Sequence, residues 1–181
     1  MYQVPVASVA KSLTRKDSEA DGMPAAHEIL PATSPRPRAS LRLIATSDLH
    51  ASLMPYDYRA DRPNANLGLG AIALQIAEAR GEARNCLLFD NGDFLQGNPL
   101  ADYAATTRRR RAHPVITAFN TLGYDAATLG NHEFDYGLRF LSGVLADASF
   151  PVVSANVATR LGKSPSRDET LVPPFAILRR Q

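Results

Sequence analysis

The stretch Leu41-Arg42-Leu43-Ile44-Ala45-Thr46-Ser47-Asp48-Leu49-His50 passes from an apolar run into a polar cluster. The same change of character recurs where Cys86-Leu87-Leu88-Phe89 leads to Asn91-Gly92-Asp93, and where Ala126 to Leu129 leads to Gly130-Asn131-His132-Glu133. Each apolar run has the length of a buried strand, and stretches of helical period separate them. Leu69 to Arg80 predicts a helix with Ile72, Ala73, Ile76 and Ala77 on one face. Further helices are predicted near Pro99 to Ala105, from Pro114 to Leu122, and from Gly137 to Ala146, with Pro114 suited to a first helical turn. Val152 to Ala155 predicts a fourth strand and Phe175-Ala176-Ile177-Leu178 a fifth. This alternation is βαβ punctuation and predicts an α/β fold.

Outward from these runs the chain changes. Between Met1 and Ser40 there are five prolines and one aromatic residue, Tyr2, with no sustained apolar period, which predicts a disordered or loosely held tail over residues 1–40. Lys11, Arg15, Lys16, Asp17 and Glu19 interrupt every apolar core that a secretory signal would need, so none is visible. Residues 41–181 form the expected domain. A fifth strand followed by no helix to cover its sheet face leads us to expect the N-terminal part of a longer protein.

Composition excludes several classes of function. No stretch approaches the roughly 18 to 20 uninterrupted apolar residues of a membrane span. With 20 basic and 18 acidic residues the formal net charge is +2, so no overall field favours nucleic acid or an anionic membrane. Cys86 is the single cysteine, which rules out an intrachain disulfide framework and a cysteine-cluster zinc site. Its apolar neighbours predict a buried packing residue.

The chemistry concentrates after the strands. In an open α/β sheet ligands gather at the carboxyl ends of the strands, where this sequence places Asp48, His50, Asp93, Asn131, His132 and Glu133. Asp48 and His50 are separated by one residue, so in extended backbone both side chains point the same way and can grip one ion. Each cluster alone has the composition of a turn. Their recurrence at one end of three successive strands carries the reading, and mixed nitrogen and oxygen donors suit Mn, Zn, Fe or Co better than Ca.

These motifs resemble a known family. Asp48-x-His50, Gly92-Asp93-Phe94-Leu95-Gln96-Gly97 and Gly130-Asn131-His132-Glu133-Phe134 are similar to those of the calcineurin-like metallophosphoesterases, in the branch holding 5'-nucleotidases and 2',3'-cyclic-nucleotide 2'-phosphodiesterase/3'-nucleotidases. The second subgroup fits better, through Tyr56-Asp57-Tyr58-Arg59-Ala60-Asp61 and His113-Pro114. The resemblance covers Leu41 to about Val157. It implies part of an α/β sandwich, incomplete at its C-terminus, and two divalent metal ions. By position, Asp48 and His50 would bind the first ion, Asp93 would bridge both, and Asn131 would bind the second. Glu133 would be structural. His132 would stand over the phosphate as a catalytic residue, with Asp135 resembling the residue that orients it in 5'-nucleotidases; the cyclic-phosphodiesterase subgroup often has Asn there. The family's downstream Gly-His and Gly-His-x-His motifs, whose histidines complete the metal pair, and its C-terminal nucleotide-binding domain have no counterpart before Gln181. The implied substrate is a nucleotide, with no nucleic-acid or membrane partner, and the implied location is periplasmic or extracellular.

Other readings compete. Gly68-Leu69-Gly70-Ala71-Ile72-Ala73 fits a loose dinucleotide pattern with Asp90 downstream, but Asp61-Arg62-Pro63-Asn64-Ala65-Asn66 stands where a buried strand is required, so the glycines read as a flexible lead into a helix. Arg108 to Arg111 could bind a phosphate backbone but reads as a solvated loop. His27 reads as inert and His113 as a helix-start residue. The alternatives to a cyclic-nucleotide phosphodiesterase are a 5'-nucleotidase or UDP-sugar hydrolase, and an inactive remnant or interaction module.

Overall fold

The computed structural model describes residues 39–107 and 112–180. The readings of residues 1–38, of His27 and of Arg108 to Arg111 lie outside the described residues. The elements, in chain order, are β1 (Arg42–Thr46), β2 (Tyr56–Asp57), β3 (Arg62–Pro63), α1 (Leu69–Gly81), β4 (Cys86–Asp90), α2 (Pro99–Thr107), α3 (Pro114–Leu122), β5 (Ala126–Thr128), α4 (Leu138–Leu145), β6 (Val152–Val153), β7 (Ala158–Arg160) and β8 (Glu169–Thr170).

Four of these strands make one parallel sheet in the order β1-β4-β5-β6, which is also their sequence order. Right-handed crossovers that step always in one direction put the connecting helices on one face. Burial agrees: Ile44 and Thr46 of β1 are buried beside Leu88 and Asp90 of β4, whereas Leu43 and Ala45 on the opposite face are exposed. The sheet supplies one layer of an α/β sandwich, with its helix-covered side forming the core. Ile44, Leu88 and Ala127 pack there against Ile76, Phe94, Ile116, Phe119, Leu141 and Val144. Phe119 stacks on Tyr124 with ring centroids 3.9 Å apart.

Local chemistry sets the boundaries. His113 starts α3, its Nδ1 accepting from the Val115 amide ahead of Pro114, as the sequence predicts. Gly123 ends the same helix in left-handed conformation. At α1, Gly68 has φ +81° and a Cβ there would collide with the Met54 carbonyl. The next two amides donate to the Ser52 and Leu53 carbonyls at 2.7 and 2.9 Å. Those amides are thus spent on backbone, which removes the phosphate cradle a dinucleotide site would need.

Three expectations are corrected. Ala77 is exposed, and the inward face of α1 is instead Leu69, Ile72 and Ile76, because the helix meets the sheet along a narrower stripe. Cys86 is half-buried rather than buried, since it opens β4 at the sheet margin. Phe175–Leu178 forms no strand, and Phe175 and Ile177 are exposed. Pro173 accepts from the Ser154 amide beyond the end of β6, but Pro173 and Pro174 have no N–H to continue the ladder. The β2–β3 and β7–β8 pairs were not legible, being strands of two or three residues, too short to show alternation. No helix among the described residues is long and apolar enough to cross a membrane.

Candidate metal centre

The β1–β4 ladder continues past the strands into the two loops that follow. Asn91 N donates to Thr46 O, Asp48 N to Gly92 O, His50 N to Asp93 O and Ala51 N to Phe94 O, all at 2.8 to 3.0 Å. These bonds zip the first two motifs together. The residues that do this are bent: Asp48, His50, Ala51 and Asp93 have φ between 46° and 59°, a region that non-glycine residues occupy at a cost of about 1 to 3 kcal/mol each. Asp48 and His50 therefore converge through left-handed turns and not through the strand alternation expected from their spacing.

The result is a three-residue group. One ligand atom each from Asp48, His50 and Asp93 lie within 4.8 Å of one another, and all three residues are half-buried. His50 Nδ1 lies 2.7 Å from the Gln96 carbonyl, which can only accept, so Nδ1 carries the proton and Nε2 is left as a ligand. Gly97 lies where a Cβ would come within 2.6 Å of His50 Cβ, so glycine is needed for the ring to pack against this backbone. Gly130 plays the same part for Asp93, whose carboxylate and amide occupy the place of a Cβ. These donors, two carboxylates and an imidazole at the sheet mouth, fit a borderline divalent metal.

The third motif docks against the second. Glu133 is fully buried, and its carboxylate accepts from four backbone amides: Phe94 and Leu95 on Oε1 at 2.7 and 3.1 Å, Asp93 and Gly130 on Oε2 at 2.8 and 2.6 Å. The structural role implied for Glu133 thus has a physical content: one side chain satisfies four donors that would otherwise be stranded. His132 N donates to Asp93 Oδ1 at 2.9 Å. The His132 ring meets that of His50 edge-on with centroids 5.1 Å apart. Asp135 Oδ2 accepts from His132 Nδ1 at 2.8 Å, and this bond holds the imidazole above its usual pKa. Asn131 is exposed and sits between two residues that both touch Asp93, Gly130 and His132.

Sequence reasoning missed a buried network beneath the mouth. Asp90 is 2% exposed; its Oδ1 accepts from the Gly92 amide at 2.9 Å and its Oδ2 from Thr46 Oγ1 at 2.6 Å. Tyr124 Oη lies 2.8 Å from the same hydroxyl. Burial pushes the Asp90 carboxyl up to about 7, against the hydrogen bonds from Thr46 and Gly92 and with some help from the charges of Glu133 and Asp48. The available signal was a carboxylate closing the apolar run Cys86-Leu87-Leu88-Phe89, which costs free energy unless it is used.

A parallel sheet with helices on one face, and a candidate carboxylate–imidazole metal group at its carboxyl edge, fit an α/β metallophosphoesterase. Comparison with known proteins makes this specific. The trifunctional nucleotide phosphoesterase protein YfkN of Bacillus subtilis is 46% identical over 137 residues, 72% of this chain and 9% of its own. The 2',3'-cyclic-nucleotide 2'-phosphodiesterase/3'-nucleotidase of Yersinia enterocolitica is 48% identical over 119 residues, 65% of this chain and 18% of its own. The crystal structure of the calcineurin-like phosphoesterase YfkN superposes with a TM-score of 0.73 at 43% identity, covering 80% of this chain and 43% of that one. No family model matches the chain. By these relatives and its fold, the chain belongs to the calcineurin-like phosphoesterases. It spans less than a fifth of the length of these two curated relatives.

Proposed function

We propose that residues 41–181 are the N-terminal part of a metallophosphoesterase domain that hydrolyses nucleotide phosphoesters, opening 2',3'-cyclic nucleotides and dephosphorylating 3'-nucleotides. The observation that carries the reading is the convergence of Asp48, His50 and Asp93 to within 4.8 Å, in a chain 44 to 48% identical to three enzymes named for cyclic-nucleotide and 3'-nucleotide hydrolysis.

Asp48, His50, Asp93 and Asn131 would supply this chain's share of the ligands for two divalent ions, with Asp93 shared, and downstream histidines of the longer protein would complete the pair. Its carboxylate has about four lone-pair directions, and the His132 amide uses one of them, which leaves acceptor capacity for both ions. When bound, such a pair supplies charge neutralisation of the phosphoryl group and a nucleophile at neutral pH. The chain's own residues do the rest. Asp135 takes the Nδ1 proton of His132 as a hydrogen bond, fixes the ring and leaves Nε2 to face the substrate. An imidazolium held in this way can donate its Nε2 proton to a leaving ribose alkoxide. Glu133 keeps the His132 and Asp93 loops in register. The match to enzymes named from snake venom supports a working place outside the cytoplasm.

The test is metal-dependent hydrolysis of 2',3'-cyclic AMP, measured for this chain and for a version extended to the length of its relatives. The extended form should turn over cyclic nucleotides with added Mn²⁺ and stop with a chelator, and the 181-residue chain should be far weaker. No metal-dependent hydrolysis of any nucleotide by the extended form would overturn the reading.

A further inference from the structure

We propose that Asp90 is a positioning residue: its carboxylate, hydrogen-bonded to the Gly92 amide and the Thr46 hydroxyl, fixes the two loops that carry Asp48 and Asp93 at the separation metal binding requires. The inference rests on the metal reading above and extends it to residues that do not themselves touch an ion.

The geometry gives Asp90 a grip on both loops. Through Oδ1 it closes the turn at the end of β4, holding Gly92 N at 2.9 Å. Through Oδ2 it holds Thr46 Oγ1 at 2.6 Å, at the last residue of β1 and two residues before Asp48. The Gly92 carbonyl in turn receives the Asp48 amide. A single side chain thus joins the end of β1 to the turn leading to Asp93. Tyr124 Oη completes the chain of hydroxyls from the start of the β5 segment, so Thr46 cannot swing away without breaking a second bond. No cation pairs with Asp90 among the described residues, and burying a carboxylate without one is expensive. An apolar side chain of similar volume would avoid that cost but could hold neither loop. The strained φ values at Asp48 and Asp93 need such a restraint, because left-handed conformations persist only where surrounding structure over-determines them.

The test reads Mn²⁺ affinity of the form extended to the length of its relatives, by the loss of free-ion signal in electron paramagnetic resonance titration, alongside the thermal midpoint. Thr46→Val keeps the shape of the side chain and removes the hydroxyl; it should weaken Mn²⁺ binding at least about tenfold. Asp90→Ala should weaken it as much, and Thr46→Val stands in its place if that variant does not fold. Asp90→Asn can still accept from Gly92 and donate to Thr46, which then turns its own proton to Tyr124, so it should bind Mn²⁺ within about threefold of the parent chain. Ile116→Val, in the core on α3 and without a polar atom to join the network, should lower the thermal midpoint without moving Mn²⁺ affinity. Unchanged affinity in Thr46→Val, or a loss in Asp90→Asn as large as in Asp90→Ala, would overturn the positioning role while leaving the metal site standing. Absence of Mn²⁺ binding by the unsubstituted extended form would remove the metal reading itself, and this proposal with it.

Discussion

The amide of His132 donates to Oδ1 of Asp93 across 2.9 Å, so the residue assigned to the leaving group is tethered by its backbone to the residue assigned as the shared metal ligand. The tether separates two functions that lie close in space. The ring of His132 is oriented by Asp135, while its main chain serves Asp93.

Replacing Asp93 by asparagine tests the ligand without breaking this tether, because the carboxamide oxygen of the new side chain can still accept the amide. Asp93→Asn should therefore leave the fold intact and reduce metal content more than Asp48→Asn, as a ligand shared between ions must. Metal analysis of the purified variants beside their circular dichroism decides it. Retention of full metal content by Asp93→Asn would contradict the shared-ligand assignment.

His132→Ala keeps the amide and removes the ring. In the extended form it should retain its metal and lose about 10²- to 10⁴-fold in turnover, the range for a positioned general acid. The loss should shrink for p-nitrophenyl phosphate esters, whose leaving group needs no proton. Equal losses on both substrate types would take His132 out of the acid role.

Glu133→Ala strands four buried amides at once. At about 1 to 3 kcal/mol for each unsatisfied group, less whatever water recovers, the loss should reach several kcal/mol. Glu133→Gln should also destabilise, since its amide nitrogen would point a donor at donors. Urea denaturation of both variants gives the measure; a loss under about 1 kcal/mol for Glu133→Ala would refute the cradle as an energetic feature.

Asp90 gives the metal-free chain a pH dependence of definite sign. Its folded pKa of about 7 lies above the unfolded value of about 3.9, so the folded state binds this proton more tightly. The resulting stabilisation is fully present below the unfolded value and is lost as pH rises through the folded one. The thermal midpoint should fall between about pH 4 and pH 7 and level off above that, and Asp90→Asn should flatten the fall. An unchanged slope in the variant would assign the dependence to other groups.

Much of the fold was readable because βαβ punctuation survives in a single sequence. The strand ends just ahead of Asp48, Asp93 and Gly130 could be placed because apolar runs stop abruptly before polar clusters. What could not be read is what depends on backbone hand and on long-range partners. Nothing local marks Asp48 and His50 as left-handed, since the conformation is imposed by pairing with residues 92–94. The apolar run Phe175–Leu178 looks like a strand by composition but follows two prolines that cannot donate. Asp90 reads as the ordinary end of a strand until its partners, Thr46 and the Tyr124 hydroxyl, are brought beneath it by the fold. The roles of His132 and Asp135 came from family resemblance, and geometry adds the hydrogen bond between them.

The contacts that assemble the mouth share one property with a bearing on how the chain reaches its native state. His50 to Gln96, Thr46 to Asp90, Asp93 to Glu133 and Asp93 to His132 join residues 46, 44, 40 and 39 positions apart. No helix or hairpin can nucleate such a set; the entropy of closing long loops is spent before any of these bonds returns energy. The β1–β4 ladder joins residues equally far apart, and the mouth is the continuation of that ladder beyond its last pair, so we expect the mouth to close after the parallel strands have found each other. A divalent ion present from the start of refolding should leave the folding rate nearly unchanged and act by slowing unfolding, as a ligand of contacts absent from the transition state does. The ion fastens a finished structure and does not template it.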